Sequence, residues 1–223
     1  MKIKEVALTV ARLDEAGLFY RDVLGLPVVE RPGQVTVTVG SSRLVLTRDA
    51  PFTGAHHLAF GIAPAEFEAA RRWLGQRVDL LAVDGAEVVQ GPRGWNSRSA
   101  HFLGPEEIVL ELIARDADAG SRAGEGQIPG LLALSEVGIG VPDVASAVRE
   151  LTGDLNVPTF PPHGPRFAPV GGHDGLIILV ERDRIWFPTE LQRAAQGPVT
   201  VTVVASRAGR LSLGHAATVL AVI

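Results

Sequence analysis

The chain has 223 residues, a formal net charge of −4 at neutral pH and no cysteine. Its length supports one large domain or two small ones, each able to bury a core. An acidic balance, with a pI near 5.9, argues against a nucleic-acid surface, which needs a basic stripe to displace counterions. The lack of cysteine removes disulfides, thiolate nucleophiles and sulfur metal sites together, so any metal must be held by nitrogen and oxygen.

The chain runs from Met1 straight into "KIKEVALTV" with no apolar leader. No run approaches the roughly 18 apolar residues that span a bilayer. The expectation is a cytoplasmic protein with no membrane partner and no nucleic-acid partner. In "KEVALTV" (4–10) apolar residues alternate with period two, setting Val6, Leu8 and Val10 on one face and Glu5, Ala7 and Thr9 on the other. A helix follows in "RLDEAGLFYRDVLGL", where Ala16, Phe19, Tyr20, Val23 and Leu24 make one stripe, ended by Gly25 and Pro27. "QVTVTVG" and "SRLVLTR" read as two further strands.

The order then repeats. "HHLAFGI" (56–62) is a strand, "PAEFEAARRWLG" a helix with the stripe Phe67-Ala70-Leu74, and strands are expected around 86–90, 98–103 and 107–113. A small, polar, glycine-rich stretch over 116–131 reads as a linker. Beyond it, "SEVGIGVPDVASAV" lies over "KEVALTVARLDEAG" at a constant offset of 131, which puts Glu136 on Glu5. "LGHAATVLAVI" lies over "LGPEEIVLELI" at an offset of 110. The chain is therefore two related halves, 1–115 and 132–223, each a pair of strand–helix–strand units. The last unit is truncated, since the short gap between "VTVTVV" and "RLSLG" leaves no room for a helix.

"EVALTV", "FYRDVLGL", "HHLAFGI" and "HFLGPEEIVLELIA", in that order, resemble the vicinal oxygen chelate superfamily of glyoxalase I, extradiol dioxygenases and bleomycin- and fosfomycin-resistance proteins. The resemblance covers residues 3–114 well and 133–223 more loosely. It implies an α+β fold of repeated βαβββ units, whose curved sheets form cups with helices on the outer faces. It also implies metal ligands on the first and last strand of each unit. Carried over position by position, Glu5 stands where histidine is usual, Val45 replaces a glutamate, and His57 and Glu111 fill the two positions of the second unit. The implied metal set is Glu5, His57 and Glu111, in a cup made by the N-terminal pair of units. Glu136 lacks equivalent companions, because Ala221 stands over Glu111, so no metal is expected in the second half. The altered turn "GPEE" (104–107) replaces the superfamily's "DPDGN".

The strand faces agree with such a cup. His57 shares its face with Ala59 and Gly61, which leave space beside it, while His56 is expected on the opposite face as an exposed strand end. A carboxylate in mid-strand at Glu111 is costly to bury unless paired, protonated or metal-bound. One imidazole with two carboxylates suits Fe, Mn, Co, Ni or Zn. Nearby, Trp95, Asn96 and Arg98 are candidate substrate contacts, and His101 and Glu111 are candidate acid–base groups. "DRIWFP" (183–188), with Arg184 and Trp186, reads as a structural strand or rim that closes the second half. No dinucleotide, P-loop or G-x-S-x-G fingerprint is present, so no nucleotide cofactor is expected. Two functional readings stay open. One is a metal-dependent lyase, isomerase or dioxygenase acting on a small oxygenated molecule. The other is a non-catalytic cup that sequesters a small molecule, as drug-resistance proteins do. Cups in this superfamily close within one chain or across a homodimer, and both arrangements stay open here.

Overall fold

The computed structural model describes residues 1–122 and 130–223. Strand β1 (Lys2–Val10) buries Val6, Leu8 and Val10 and leaves Glu5, Ala7 and Thr9 half-buried, as period-two alternation requires. Helix α1 (Leu13–Leu18) widens into a π-helical turn over Phe19–Val23. That wide turn rotates the expected stripe, so Ala16, Tyr20 and Leu24 are buried while Phe19 and Val23 are only half-covered. Strands β2 (Val28–Arg31), β3 (Gln34–Val39) and β4 (Ser42–Arg48) form an antiparallel meander that returns β4 parallel to β1.

The second unit repeats this course with β5 (His57–Ile62), α2 (Phe67–Gly75), short β6 (Leu80–Leu81) and β7 (Val89–Gln90), β8 (Ser97–Leu103) and β9 (Val109–Arg115) parallel to β5. The third comprises β10 (Leu131–Val141), α3 (Val144–Asp154), β11 (Phe167–Gly172) and β12 (Gly175–Glu181). Asp143 caps α3 by accepting the Ser146 N–H at 2.9 Å. The fourth unit has only β13 (Val199–Val204), β14 (Gly209–Leu213) and β15 (Ala217–Val222), with no helix, as its spacing demands. Of the expected linker, Asp116–Asp118 is a 3-10 turn, and residues 123–129 lie outside the described residues.

In each unit the last strand lies beside the first, which leaves the first strand one open edge. Open edges buried between units must find partners. They do so as β1 with β13 and β5 with β10, both antiparallel. The sheets are therefore β14-β15-β13-β1-β4-β3-β2 and β11-β12-β10-β5-β9-β8-β6, with β7 on β8. Unit one joins unit four, and unit two joins unit three. This corrects the expected cup of units one and two, because every sheet takes one unit from each half.

One core, shared by both sheets and the helices, unites Val6, Leu44, Phe60, Leu110, Val137 and Val201. Where the sheets meet, the Ser42 hydroxyl donates to the Ile3 carbonyl at 2.7 Å and accepts the Leu134 N–H at 3.1 Å. The "GPEE" turn holds Glu106 and Glu107 at φ 53° and 61°, left-handed values that ordinarily favour glycine or asparagine. From there the Glu106 carboxylate accepts the N–H groups of Ala11 at 3.1 Å and Arg12 at 2.6 Å, at the start of α1. No helix among the described residues is long and apolar enough to cross a membrane.

Candidate metal centre

The β5–β10 pairing sets Gly138 opposite His57 and Glu136 opposite Ala59, and the β5–β9 pairing sets Glu111 on the other side of Ala59. Three adjacent strands thus aim His57, Glu111 and Glu136 at one point, and all three side chains are buried. Their donor atoms lie within 4.8 Å of one another. His57 Nε2 is 3.5 Å from Glu111 Oε2 and 3.9 Å from Glu136 Oε2. On β8, opposite Glu111 in the register, His101 brings its Nε2 to 3.6 Å from the same Glu111 oxygen.

These separations test the fit to a cation. All three exceed a normal N–H···O bond. Two donors each about 2.0–2.2 Å from one ion lie roughly 3–3.6 Å apart; the His57–Glu111 separation falls in that range, and Glu136 Oε2, at 3.9 Å from His57, reaches it with a shift of a few tenths of an ångström. His57 Nδ1 and His101 Nδ1 are buried without a hydrogen-bond partner. Among the described residues this is the one His/Glu group of its kind, and its donors suit a divalent first-row metal.

The electrostatics are those of a desolvated charge cluster. Burial pushes the His57 imidazolium pKa down, but Glu136 and Glu111 outweigh that and raise it. Burial likewise opposes ionisation of Glu111, yet His101, His57 and Arg115 hold its carboxyl down at about 2. Arg115, at the end of β9, pairs with the Glu136 carboxylate.

The group forms the floor of a cavity of about 460 Å³. Its walls include Trp95, Ile113, Phe167, Ile178, Val180, Trp186 and Phe187. The loop after β12 builds much of this rim. Trp186 Nε1 donates to the Ala55 carbonyl at 2.8 Å and its ring lies 5.1 Å from the His57 ring. Gly138 makes that approach feasible, since a Cβ there would sit 2.4 Å from Trp186 Cη2. Phe187 meets His101 edge-on at 5.7 Å. Among the described residues Arg184 is the one permanent cation lining the cavity, its guanidinium 5.2 Å from the Phe167 ring centre.

Of the residues singled out from the sequence, His57, Glu111, His101 and Trp95 meet at this cavity. Glu5 does not. It lies in the seven-stranded sheet opposite Thr202, half-exposed, with an ion pair to Arg43 at 2.9 Å. Glu136, its counterpart in the third unit, takes the place beside His57 because β10, not β1, pairs with β5. Asn96 and Arg98 line a neighbouring surface depression instead, and Arg98 donates to the Pro64 carbonyl at 2.8 Å. His56 corrects the expectation of an exposed strand end. It is 2% exposed, packs on Phe52 at 5.0 Å, and burial pushes its pKa down to about 4. Sequence reading missed Glu136 as a partner, although the repeat offset marked its position. It placed Trp186 only in a structural strand or rim, and it missed Arg115, a cation closing an otherwise apolar strand.

No protein-family model matches the chain, and no curated protein matches its sequence. Solved structures do share its fold. A candidate dioxygenase from Bacillus subtilis superposes over 99% of this chain and 85% of its own, with a TM-score of 0.67 at 12% identity. A glyoxalase I variant from Zea mays covers 90% of this chain and 74% of its own, with a TM-score of 0.54 at 17% identity.

Proposed function

For a chain with the vicinal oxygen chelate fold, we propose a metalloenzyme, glyoxalase- or dioxygenase-like, that acts on a small oxygenated molecule in the cavity of the eight-stranded sheet. The observation that carries this reading is the convergence of His57, Glu111 and Glu136, with donor atoms within 4.8 Å of one another, on the floor of that cavity. These residues would hold Fe, Mn, Co, Ni or Zn, which supplies Lewis acidity toward substrate oxygens when bound.

The chain's own residues supply the rest. Trp95, Trp186, Phe167 and Phe187 exclude water and raise the strength of every charge interaction inside. His101, on the cavity wall beside Glu111, is the group we assign to proton transfer. Glu111, between two imidazoles, is the second acid–base candidate. Arg184 at the rim suits one anionic group of the substrate.

One observation favours a second reading, a non-catalytic cup that sequesters a small molecule. Arg115 already pairs with the Glu136 carboxylate, so one of the two buried carboxylate charges is offset without a cation.

Elemental analysis separates the two. The native protein and His57→Ala are purified after supply with Mn, Fe, Co, Ni and Zn in turn. Near-stoichiometric metal in the native protein, lost in the variant, is the expected result. No metal under any supply would remove the metalloenzyme reading and leave the sequestering cup.

A further inference from the structure

Arg115 closes the run "VLELIAR" of β9 and is completely buried. A guanidinium in such a place is costly unless its surroundings compensate it. Two of its contacts lead to the site. Nη2 donates to Glu136 Oε1, Nε donates to the Ser135 hydroxyl at 3.3 Å, and the guanidinium lies 5.2 Å from the ring centre of Trp95, a cavity wall. Arg115 does not itself line the cavity.

A glutamate side chain has three rotatable bonds and two equivalent oxygens. Arg115, on the same face of β9 as Glu111 and Ile113, engages one oxygen, Oε1. The other, Oε2, is the one that faces His57 Nε2 at 3.9 Å. We propose that Arg115 is a positioning residue for metal binding: it fixes Glu136 so that a single oxygen is offered to the cation, and it offsets one of the two carboxylate charges. A divalent ion held by neutral His57, Glu111 and Glu136 then keeps one net positive charge within the cluster, which favours an anionic oxygen of the substrate. This inference rests on the metal reading above.

The test is a Co²⁺ titration of folded protein, followed by the visible absorption of the bound ion and by competition with a chelator. It compares the native chain with Arg115→Met, Arg115→Lys, Glu136→Gln and the double variant Arg115→Met/Glu136→Gln. Arg115→Met is expected to bind Co²⁺ about 10–100-fold more weakly, the range seen when a group supporting a metal ligand is lost, with altered absorption bands. Arg115→Lys restores part of the affinity. The double variant binds no more weakly than Glu136→Gln alone, because Arg115 acts through Glu136. Native affinity and bands in Arg115→Met, or losses that multiply in the double variant, overturn the proposal. Where circular dichroism shows that Arg115→Met has not folded, Arg115→Lys carries the test, and native affinity and bands in that variant overturn the proposal equally. A native chain that takes up no Co²⁺ removes the metal reading and this inference with it. A native chain that binds Co²⁺ alongside unaffected Arg115 variants removes only the role of Arg115.

Discussion

Gly138→Ala puts the closure of the cavity to the test. An added Cβ would stand 2.4 Å and 2.8 Å from Trp186 Cη2 and Cζ2, and 2.9 Å from His57 Cβ. Carbon atoms in contact settle at about 3.5–4.0 Å, so the indole must retreat by roughly 1 Å. It is not free to do so, since Nε1 is bonded to the Ala55 carbonyl at 2.8 Å. Overpacking of this kind costs about 1–3 kcal/mol, and losing the buried hydrogen bond adds about 1 kcal/mol. For a chain of this size, each kcal/mol lowers Tm by about 2–4 °C, so a fall of roughly 5–15 °C is expected. Thermal melting by circular dichroism measures it, and a red shift of tryptophan emission reports the displaced indole. The decisive comparison repeats the change in Trp186→Phe, whose smaller ring lacks Cη2 and Cζ2. There the added penalty of alanine should shrink to the part set by the 2.9 Å approach to His57 Cβ, because contacting sites are not additive. An equal penalty in both backgrounds, or none in the native one, would refute the reasoning.

Tyr20→Phe should leave stability unchanged or raise it by up to about 1 kcal/mol, because the Tyr20 hydroxyl is buried without a partner and burial pushes its pKa upward; a clear loss in chemical denaturation would contradict this. Glu106→Ala removes the acceptor for the Ala11 and Arg12 N–H groups and should cost about 1–2 kcal/mol. Glu106→Gly should cost less, since glycine accepts the left-handed backbone at this position, and equal losses would assign the effect to the carboxylate alone. Arg184→Gln should weaken binding of benzoate about tenfold, equivalent to about 1.4 kcal/mol, while leaving phenol unaffected. Quenching of tryptophan emission reads both, and equal weakening of the two probes would remove the anion-binding role.

Much of the architecture is legible along the chain. Alternation in "KEVALTV" states which face of β1 is buried, and burial follows it residue by residue. The unit repeat places a donor-bearing residue at corresponding strand positions, including Glu5 and Glu136. The short gap before β14 excludes a fourth helix. His57 and Glu111 were legible for the same local reason, because both lie on strands whose neighbours are apolar or small. His56 was not legible, because the loop that sets Phe52 against it is held in place by a distant segment. The segment after β12 bonds to both sides of Ala55, through Ala55 N–H to Arg193 O at 2.8 Å and Ala195 N–H to Ala55 O at 2.9 Å.

What the sequence by itself determined is the content of each unit: its strands, its helix or lack of one, and the donors each strand carries. Which units share a sheet was decided only by the tertiary structure. An open strand edge is completed by backbone N–H and C=O groups, which are the same at every residue, so side-chain pattern does not name the partner strand. Once β5 meets β10 rather than β1, Glu136 joins His57 and Glu111, and its counterpart Glu5 is left to an ion pair at the surface of the other sheet.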